Sequence, residues 1–333
     1  MKFVNNPISR NEIKGKSILL TFLLFNYFII FVVNDKNKEI KNIKVCICTL
    51  GKEENLYIRE FIEHYKYYGV DKIFLYDNND IDGEHFEKII GDYIEQDLLQ
   101  IINWRGKHGI IYKVMNECYE KNKDNYDWIL FYELDEFIHL YNYTNIKIFL
   151  QENKFKQCQI IYLNLVIHTD NNMLYYQNNS LFERFPNIVP KDKSPNLQVK
   201  MIIKGRIKDL EIQNTANCIQ KNTKTTLKTC NGFGEQIQQK GFQTEKVDFK
   251  YYYIDHFFSK STEEFIRKLA KGEVLLTDKN EIYNYKKARI KKYFEYNDFS
   301  MDKIEMLETG LKLNLSKLKN KYKNILLKTI SIK

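Results

Sequence analysis

Between residues 43 and 137 the chain alternates short apolar runs with amphipathic stretches. "IKVCICTL" (Ile43 to Leu50) is an uninterrupted apolar run of strand length. "NLYIREFIEHYKYYG" follows, with Ile58, Phe61, Ile62 and Tyr65 at helical spacing and Gly69 as the stop. "DKIFLYDNND" (Asp71 to Asp80) is a second strand ending in a polar cluster, and "EHFEKIIGDYIEQDLL" a second helix. "QIINWRG", "IIYKVMNECYEKN" and "DWILFYELDEF" complete the series as strand, helix and strand. A β-α-β-α-β-α-β order predicts an α/β fold, Rossmann-like, with a mostly parallel sheet and helices on both faces. Strands apolar throughout agree with burial on both sides.

Earlier in the chain, Ser17 to Val33 reads "SILLTFLLFNYFIIFVV", 17 residues with no charge and one amide, Asn26. That length reaches the lower end of what spans a bilayer, and no small-residue cleavage site follows. The organisation predicted is an N-terminal tail (1–16), a transmembrane signal anchor (17–33), a linker (34–42), a catalytic domain (43–272) and a C-terminal helical extension (273–333). Four basic residues precede the apolar segment and four follow it within a short distance, so the positive-inside count leaves orientation open. A short tail and a long body suggest a single-pass protein of type II, facing the Golgi lumen in a eukaryotic cell. Asn142, Asn178 and Asn314 lie in N-x-[ST] sequons, which an Asn-rich chain contains by chance.

Composition adds little that is specific. The 333 residues are 44% hydrophobic and 29% charged, as expected of a folded body, and the net charge is +9. Nucleic-acid binding needs that charge clustered on a recognisable motif, and none is present. Of six cysteines, Cys46 and Cys48 are too close together for a usual metal pair and read as buried strand thiols. Cys218 and Cys230 flank a polar loop that a disulfide would close in an oxidising compartment. The C-terminal "LKLNLSKLKNKYKNILLKTISIK" carries seven Lys and no acid. Its Leu311, Leu315, Leu318, Tyr322 and Ile325 share a helical face, expected to pack on the body rather than to lie on an anionic membrane.

In an open parallel sheet, ligands bind beyond the carboxyl ends of the strands. The polar residues fall there. Thr49, Lys52 and Glu53 end the first strand, Asp77 to Asp80 the second, and Glu133, Asp135 and Glu136 the fourth. No Gly-rich phosphate fingerprint follows the first strand, so phosphate must be held by other means. On an extended segment Glu133 and Asp135 point to one side and Glu136 to the other. Paired carboxylates repel unless they share a cation or proton, and hard oxygen ligands suit Mn2+ or Mg2+, which complete their shells with substrate phosphates.

These motifs, in this order, resemble glycosyltransferases of the GT-A type, and family 92 (formerly DUF23) and family 2-like enzymes in particular. The resemblance covers residues 43 to 272. Its first strand ends in T-x-x-K-N/D-E (Thr49, Lys52, Glu53, Glu54), its second in Y-D-N-N (Tyr76 to Asn79), and its metal motif D-x-D-E-F stands here as Glu133-Leu134-Asp135-Glu136-Phe137. Glu for the first Asp is a departure that a longer arm can span. "LNLVIHTDNNMLYYQNNSLFERF" resembles the acceptor-side segment and "YYIDHFFSKSTEEFIRKLAKG" the closing motif with its histidine, His256.

The resemblance implies a metal-dependent, inverting transfer of a sugar from a nucleotide-sugar, UDP-linked, to a glycan or other hydroxyl acceptor. Thr49, Glu53, Asp77 and Asn79 would hold the nucleoside, and Arg105, with Lys107, a phosphate. Glu133, Asp135 and His256 would bind the metal. The base that takes the acceptor proton is Asp170 or Glu183, with Asp170 preferred because it lies in the polar loop "HTDNN". Ser261 or Thr262 is a helix N-cap with Glu264 close to capping-box spacing, and that helix N-terminus either meets a diphosphate or is simply capped. A metal-dependent phosphohydrolase and a catalytically inactive sugar-binding protein are the alternative readings.

Overall fold

In a computed structural model, residues 42–107, 111–190, 197–222, 226–237, 239–240, 243–244, 250–271 and 278–320 are described. The apolar segment 17–33 and Lys107's neighbours 108–110 lie outside them. Among the described residues no helix is long and apolar enough to cross a membrane.

The alternation read from the sequence is present. Strand β1 (Val45–Gly51) leads to helix α1 (Ile58–Tyr67), β2 (Lys72–Asp77), α2 (Glu87–Glu95), β3 (Leu99–Asn103), α3 (Ile111–Asn122) and β4 (Trp128–Phe131). These four strands are parallel in the order β3-β2-β1-β4. Period-two alternation sorts β1 onto two faces. Val45 and Ile47 enter one apolar cluster with Ile58, Phe61, Ile62 and Tyr65 of α1, while Cys46 and Cys48 enter a second with Val114, Met115 and Cys118 of α3. Each buried aliphatic or aromatic side chain there contributes about 1.5–3 kcal/mol. Gly69 turns the chain out of α1 at φ +76°, a conformation that favours glycine, and a Cβ there would also press on Asn145.

Beyond β4 the structure departs from the expected continuation. "DWILFYELDEF" is not one strand. β4 stops at Phe131, a turn closes with the Glu136 amide donating to the Glu133 carbonyl, and β5 (Glu136–Leu140) starts again at the opposite edge of the sheet. After α4 (Ile146–Leu150) come β6 (Ile160–Ile167), α5 (Leu181–Arg184) and β7 (Val199–Lys204). The hairpin β8 (Leu210–Asn214) and β9 (Asn217–Gln220) follows, then β10 (Thr229–Asn231), the short pair β11 (Gln239–Lys240) and β12 (Gln243–Thr244), and β13 (Tyr252–His256). The main sheet runs β3-β2-β1-β4-β7-β6-β13-β5, with β10 against β6. β7 is antiparallel to both neighbours and β5 is antiparallel to β13, so the parallel character belongs to the first half and to β6, β13 and β10.

Three helices close the described chain: α6 (Thr262–Ala270), α7 (Lys279–Tyr296) and α8 (Met301–Leu311). The last two lie beyond residue 272, in the expected C-terminal extension. Ile290, Tyr293, Ile304, Leu307, Leu311 and Leu315 share the apolar cluster of α1 and β1. Leu311, Leu315 and Leu318 of the C-terminal stripe pack on the body as expected, while Tyr322 and Ile325 lie outside the described residues.

The cysteines are corrected too. Cys230 is bonded to Cys158 and Cys48 to Cys118, leaving Cys46 and Cys218 as buried thiols. A Cys218–Cys230 bridge is blocked by the sheet itself, because Cys218 belongs to the α3-side cluster and Cys230 to the α1-side cluster. Burial pushes the Cys218 thiol up to about 12, the state of an unreactive core side chain.

Candidate active site

The predicted nucleotide residues gather where β1 and β2 end. Asp77 is buried at the last position of β2. Its Oδ1 accepts from the Asn79 amide at 2.9 Å and from Asn79 Nδ2 at 2.7 Å, and its Oδ2 from Arg105 Nη1 at 2.6 Å. Arg105 Nη2 donates on to the Asp80 carbonyl at 2.8 Å, and Asn79 Oδ1 accepts from the Glu53 amide at 2.7 Å. Four predicted residues thus form one network that orders the loop after β2. Arg105 holds Asp77 and that loop through both Nη atoms, while its buried Nε makes no hydrogen bond among the described residues. Thr49 stands apart, at the edge of a small cavity on the α3 face, and its buried Oγ1 has no hydrogen-bond partner among the described residues.

The acidic turn lies between β4 and β5. Because residues 133–136 form a turn, side chains do not alternate there, and Glu136 does not point away from its neighbours as an extended segment would require. The ladder explains its place: Glu136 opens β5 directly opposite His256, the last residue of β13. Ligand atoms of Asp135, Glu136 and His256 all lie within 4.8 Å of one another. Asp135 Oδ1 is 3.7 Å from His256 Nε2, and Oδ2 accepts from Lys268 Nζ at 2.8 Å. Glu136 is 2.9 Å from Lys200 Nζ, which also holds Glu133.

Electrostatics separates the three carboxylates. Burial alone would raise Asp135, but Lys268 and His256 override it and hold the group well below the usual carboxylate range. Lys200 holds Glu133, whose side chain is half exposed, below the usual carboxylate value. For Glu136 desolvation wins and pushes the carboxyl up to about 8, with Lys200 offsetting part of the rise. Burial lowers His256, with Asp135 opposing. Among the described residues neither ring nitrogen of His256 makes a hydrogen bond, and the residue is only 8% exposed. A buried imidazole with no hydrogen bond there, beside two carboxylates, is the donor set that a divalent ion such as Mn2+ accepts, so the residues fit the ion.

A cavity of about 570 Å3 opens on this turn, lined among others by Glu133, Glu136, Lys200, His256 and Lys268. Neither predicted base reaches it. Asp170 is buried under the C-terminal helices, where its carboxylate accepts from the Tyr293 hydroxyl and pairs with Lys303 Nζ at 2.7 Å, while its amide donates to Asn297 Oδ1. Glu183 is exposed on α5 and takes only a 3.3 Å contact from Asn179 Nδ2. Its neighbour Arg184 pairs with Glu264 instead, at 2.8 Å and fully buried. Glu264 in turn completes a capping box with Ser261, so the N-terminus of α6 is closed by its own residues and offers no diphosphate site.

With the geometry in place, the sequence matches the glycosyltransferase family 92 over residues 41–305. The chain belongs to glycosyltransferase family 92. Membership supports a transferase that moves glycosyl groups over a phosphohydrolase. No curated protein sequence matches the chain. Among solved structures, S. aureus TarS 1-349 aligns at 12% identity over 83% of this chain and 77% of that one, with a TM-score of 0.33. TarS 1-349 in complex with UDP aligns at 13% identity with the same coverage and TM-score.

Several cavity residues of the transferase went unread in its sequence. Lys200 interrupts the apolar run "VKMIIK", and a charge inside a buried strand is a signal of an internal partner. Arg289 and Lys292 line the cavity from α7, beyond the expected domain end. Thr215, at the tip of the β8–β9 hairpin, lines both this cavity and the one beside Thr49. No local pattern marks it.

Proposed function

We propose that this transferase takes a UDP-linked sugar and transfers it, with inversion, to a hydroxyl of a glycan, with Mn2+ or Mg2+ bound at the turn between β4 and β5. The observation that supports this reading is the cluster of Asp135, Glu136 and His256, in which neither buried imidazole nitrogen makes a hydrogen bond among the described residues. A divalent ion there supplies charge to neutralise the departing diphosphate. Asp135 and His256 would hold it, with Glu136 as the third ligand. Glu133 then differs from its expected role. Of the two carboxylates lining the cavity it alone has an exposed side chain, 47% accessible, and Lys200 keeps it ionised, the form that accepts a proton from the acceptor hydroxyl.

Mixing the protein with UDP-sugars, a glycan acceptor panel and Mn2+ is expected to release UDP in an acceptor-dependent way. EDTA should abolish the release. Glu133→Gln should lower kcat about 10²–10⁴-fold while donor binding persists, the range for loss of a general base. UDP release at the same rate without acceptor would contradict transfer.

We further place the body on the luminal side of a secretory membrane, anchored through residues 17–33. Two disulfides, Cys48–Cys118 and Cys158–Cys230, support an oxidising compartment. In sealed microsomes the body should resist protease until detergent is added. Digestion before detergent would put it in the cytosol.

A further inference from the structure

A smaller pocket, of about 190 Å3, lies between the network at the end of β2 and the acidic turn. Glu53, whose amide donates to Asn79 Oδ1, lines it, and so does Lys268, whose ammonium donates to Asp135. Lys268 lines the main cavity as well. Of the four cations around this pocket among the described residues, three have a close ionic partner. Arg267 pairs with Glu263 at 2.7 Å, Lys268 with Asp135 at 2.8 Å and Lys271 with Glu54 at 2.5 Å. Lys260 differs. Its Nζ lies 3.5 Å from Glu54, at the outer limit of a hydrogen bond and on a carboxylate that Lys271 already neutralises. Its other contact is the face of Tyr57, 3.7 Å from the ring centroid.

The Lys260 side chain is 6% exposed, and its backbone takes φ +52°, a conformation that residues with a Cβ rarely adopt. The fold thus holds a charged arm out of water, from a strained position, with a shared counter-charge. Burial pushes the ammonium below its ordinary value, and the nearby carboxylates of Glu54 and Asp135 oppose that shift. A buried cation in this state is stabilised by an anion that a ligand brings. The groups expected from the sequence to meet phosphate are engaged elsewhere: Arg105 holds Asp77 and the Asp80 carbonyl, and the N-terminus of α6 is capped by Ser261 and Glu264. On the donor reading above, a nucleotide-sugar runs from the ends of β1 and β2 to an ion at Asp135, and its diphosphate passes this pocket. We propose that Lys260 is a donor-binding residue, whose ammonium leaves Glu54 for that diphosphate while Lys271 keeps Glu54 paired.

Calorimetric titrations with UDP and with uridine, at saturating Mn2+, test this. Lys260→Met keeps an aliphatic arm over Tyr57 and leaves Glu54 with Lys271. It is expected to bind UDP about tenfold or more weakly than the wild type, the scale of a lost charge-assisted contact, and uridine within about twofold. Lys271→Gln breaks the same ion cluster from its other side and should keep UDP binding within about twofold. In turnover, Lys260→Met should raise donor KM and leave acceptor KM unchanged. Wild-type crystals with UDP give a second readout that needs no variant to fold: Lys260 Nζ is expected within hydrogen-bond distance of a phosphate oxygen. UDP bound with Lys260 still on Glu54 overturns the proposal, as does a Lys260→Met protein that binds UDP like the wild type. An equal loss of UDP and uridine, or a matching loss in Lys271→Gln, also overturns it, since the cluster would then only brace the loop after β1. A wild-type protein that does not bind UDP overturns the UDP-sugar reading itself, and this inference with it.

Discussion

Asp135→Asn is expected to lower kcat by roughly 10³-fold or more while the protein stays folded, the scale seen when a pre-organised charge at a departing group is lost. Asp135 is the only one of the three carboxylates at the turn that combines deep burial with an ionised state, because Lys268 and His256 outweigh its desolvation. The amide is nearly isosteric and keeps an acceptor oxygen, but carries no charge for a divalent ion. Lys268 loses its ion partner in the variant. Its side chain is 27% exposed and still donates to the Phe258 carbonyl, so it reaches water and the stability loss stays small. Calorimetric titration with Mn2+ checks the account alongside the rate: binding should weaken together with kcat. A variant that binds Mn2+ as tightly as the wild type, or turns over within a few-fold of it, would separate Asp135 from the ion.

Asp170→Asn should do the reverse: lose stability and keep chemistry. Asp170 and Lys303 are a buried pair, their side chains 2% and 1% exposed, and the Tyr293 hydroxyl donates to the same carboxylate. Removing one charge leaves the other buried, at a cost of about 3–5 kcal/mol for such pairs. The remaining contacts of Lys303, to Asn172 Oδ1 and the Asp298 carbonyl, put the effect toward the lower end. Thermal unfolding should therefore begin roughly 5–10 °C lower, while kcat per folded molecule stays within about twofold. A stable but inactive Asp170→Asn protein would return Asp170 to the role its sequence context suggested.

That reversal shows what local sequence carries and what it does not. The first three strands and the helices between them were legible because apolar period and helix stops are local: Ile58, Phe61, Ile62 and Tyr65 are all buried on α1. The acidic turn was legible as a site and not as a geometry. "DWILFYELDEF" has the composition of one strand, and only pairing with β13, more than a hundred residues later in the chain, pulls Glu136 to the far edge and opposite His256. Asp170 looked like a surface base because its neighbours are polar. The groups that bury it, Tyr293 and Lys303, come from helices α7 and α8. Helix α7 also brings Arg289 and Lys292 to the cavity from beyond residue 272, a placement that no local sequence pattern marks. The cysteine pairing failed for a related reason. Proximity in sequence favoured Cys218 with Cys230, and the sheet puts them on opposite faces.

The account turns on an ion held at the end of β4 while a diphosphate leaves. Crystals grown with UDP and Mn2+, with diffraction collected at the manganese absorption edge, test it most directly. The expected map has one anomalous peak among Asp135, Glu136 and His256, beside the UDP phosphates. UDP seated in the cleft with no anomalous density between Asp135 and His256 would contradict it.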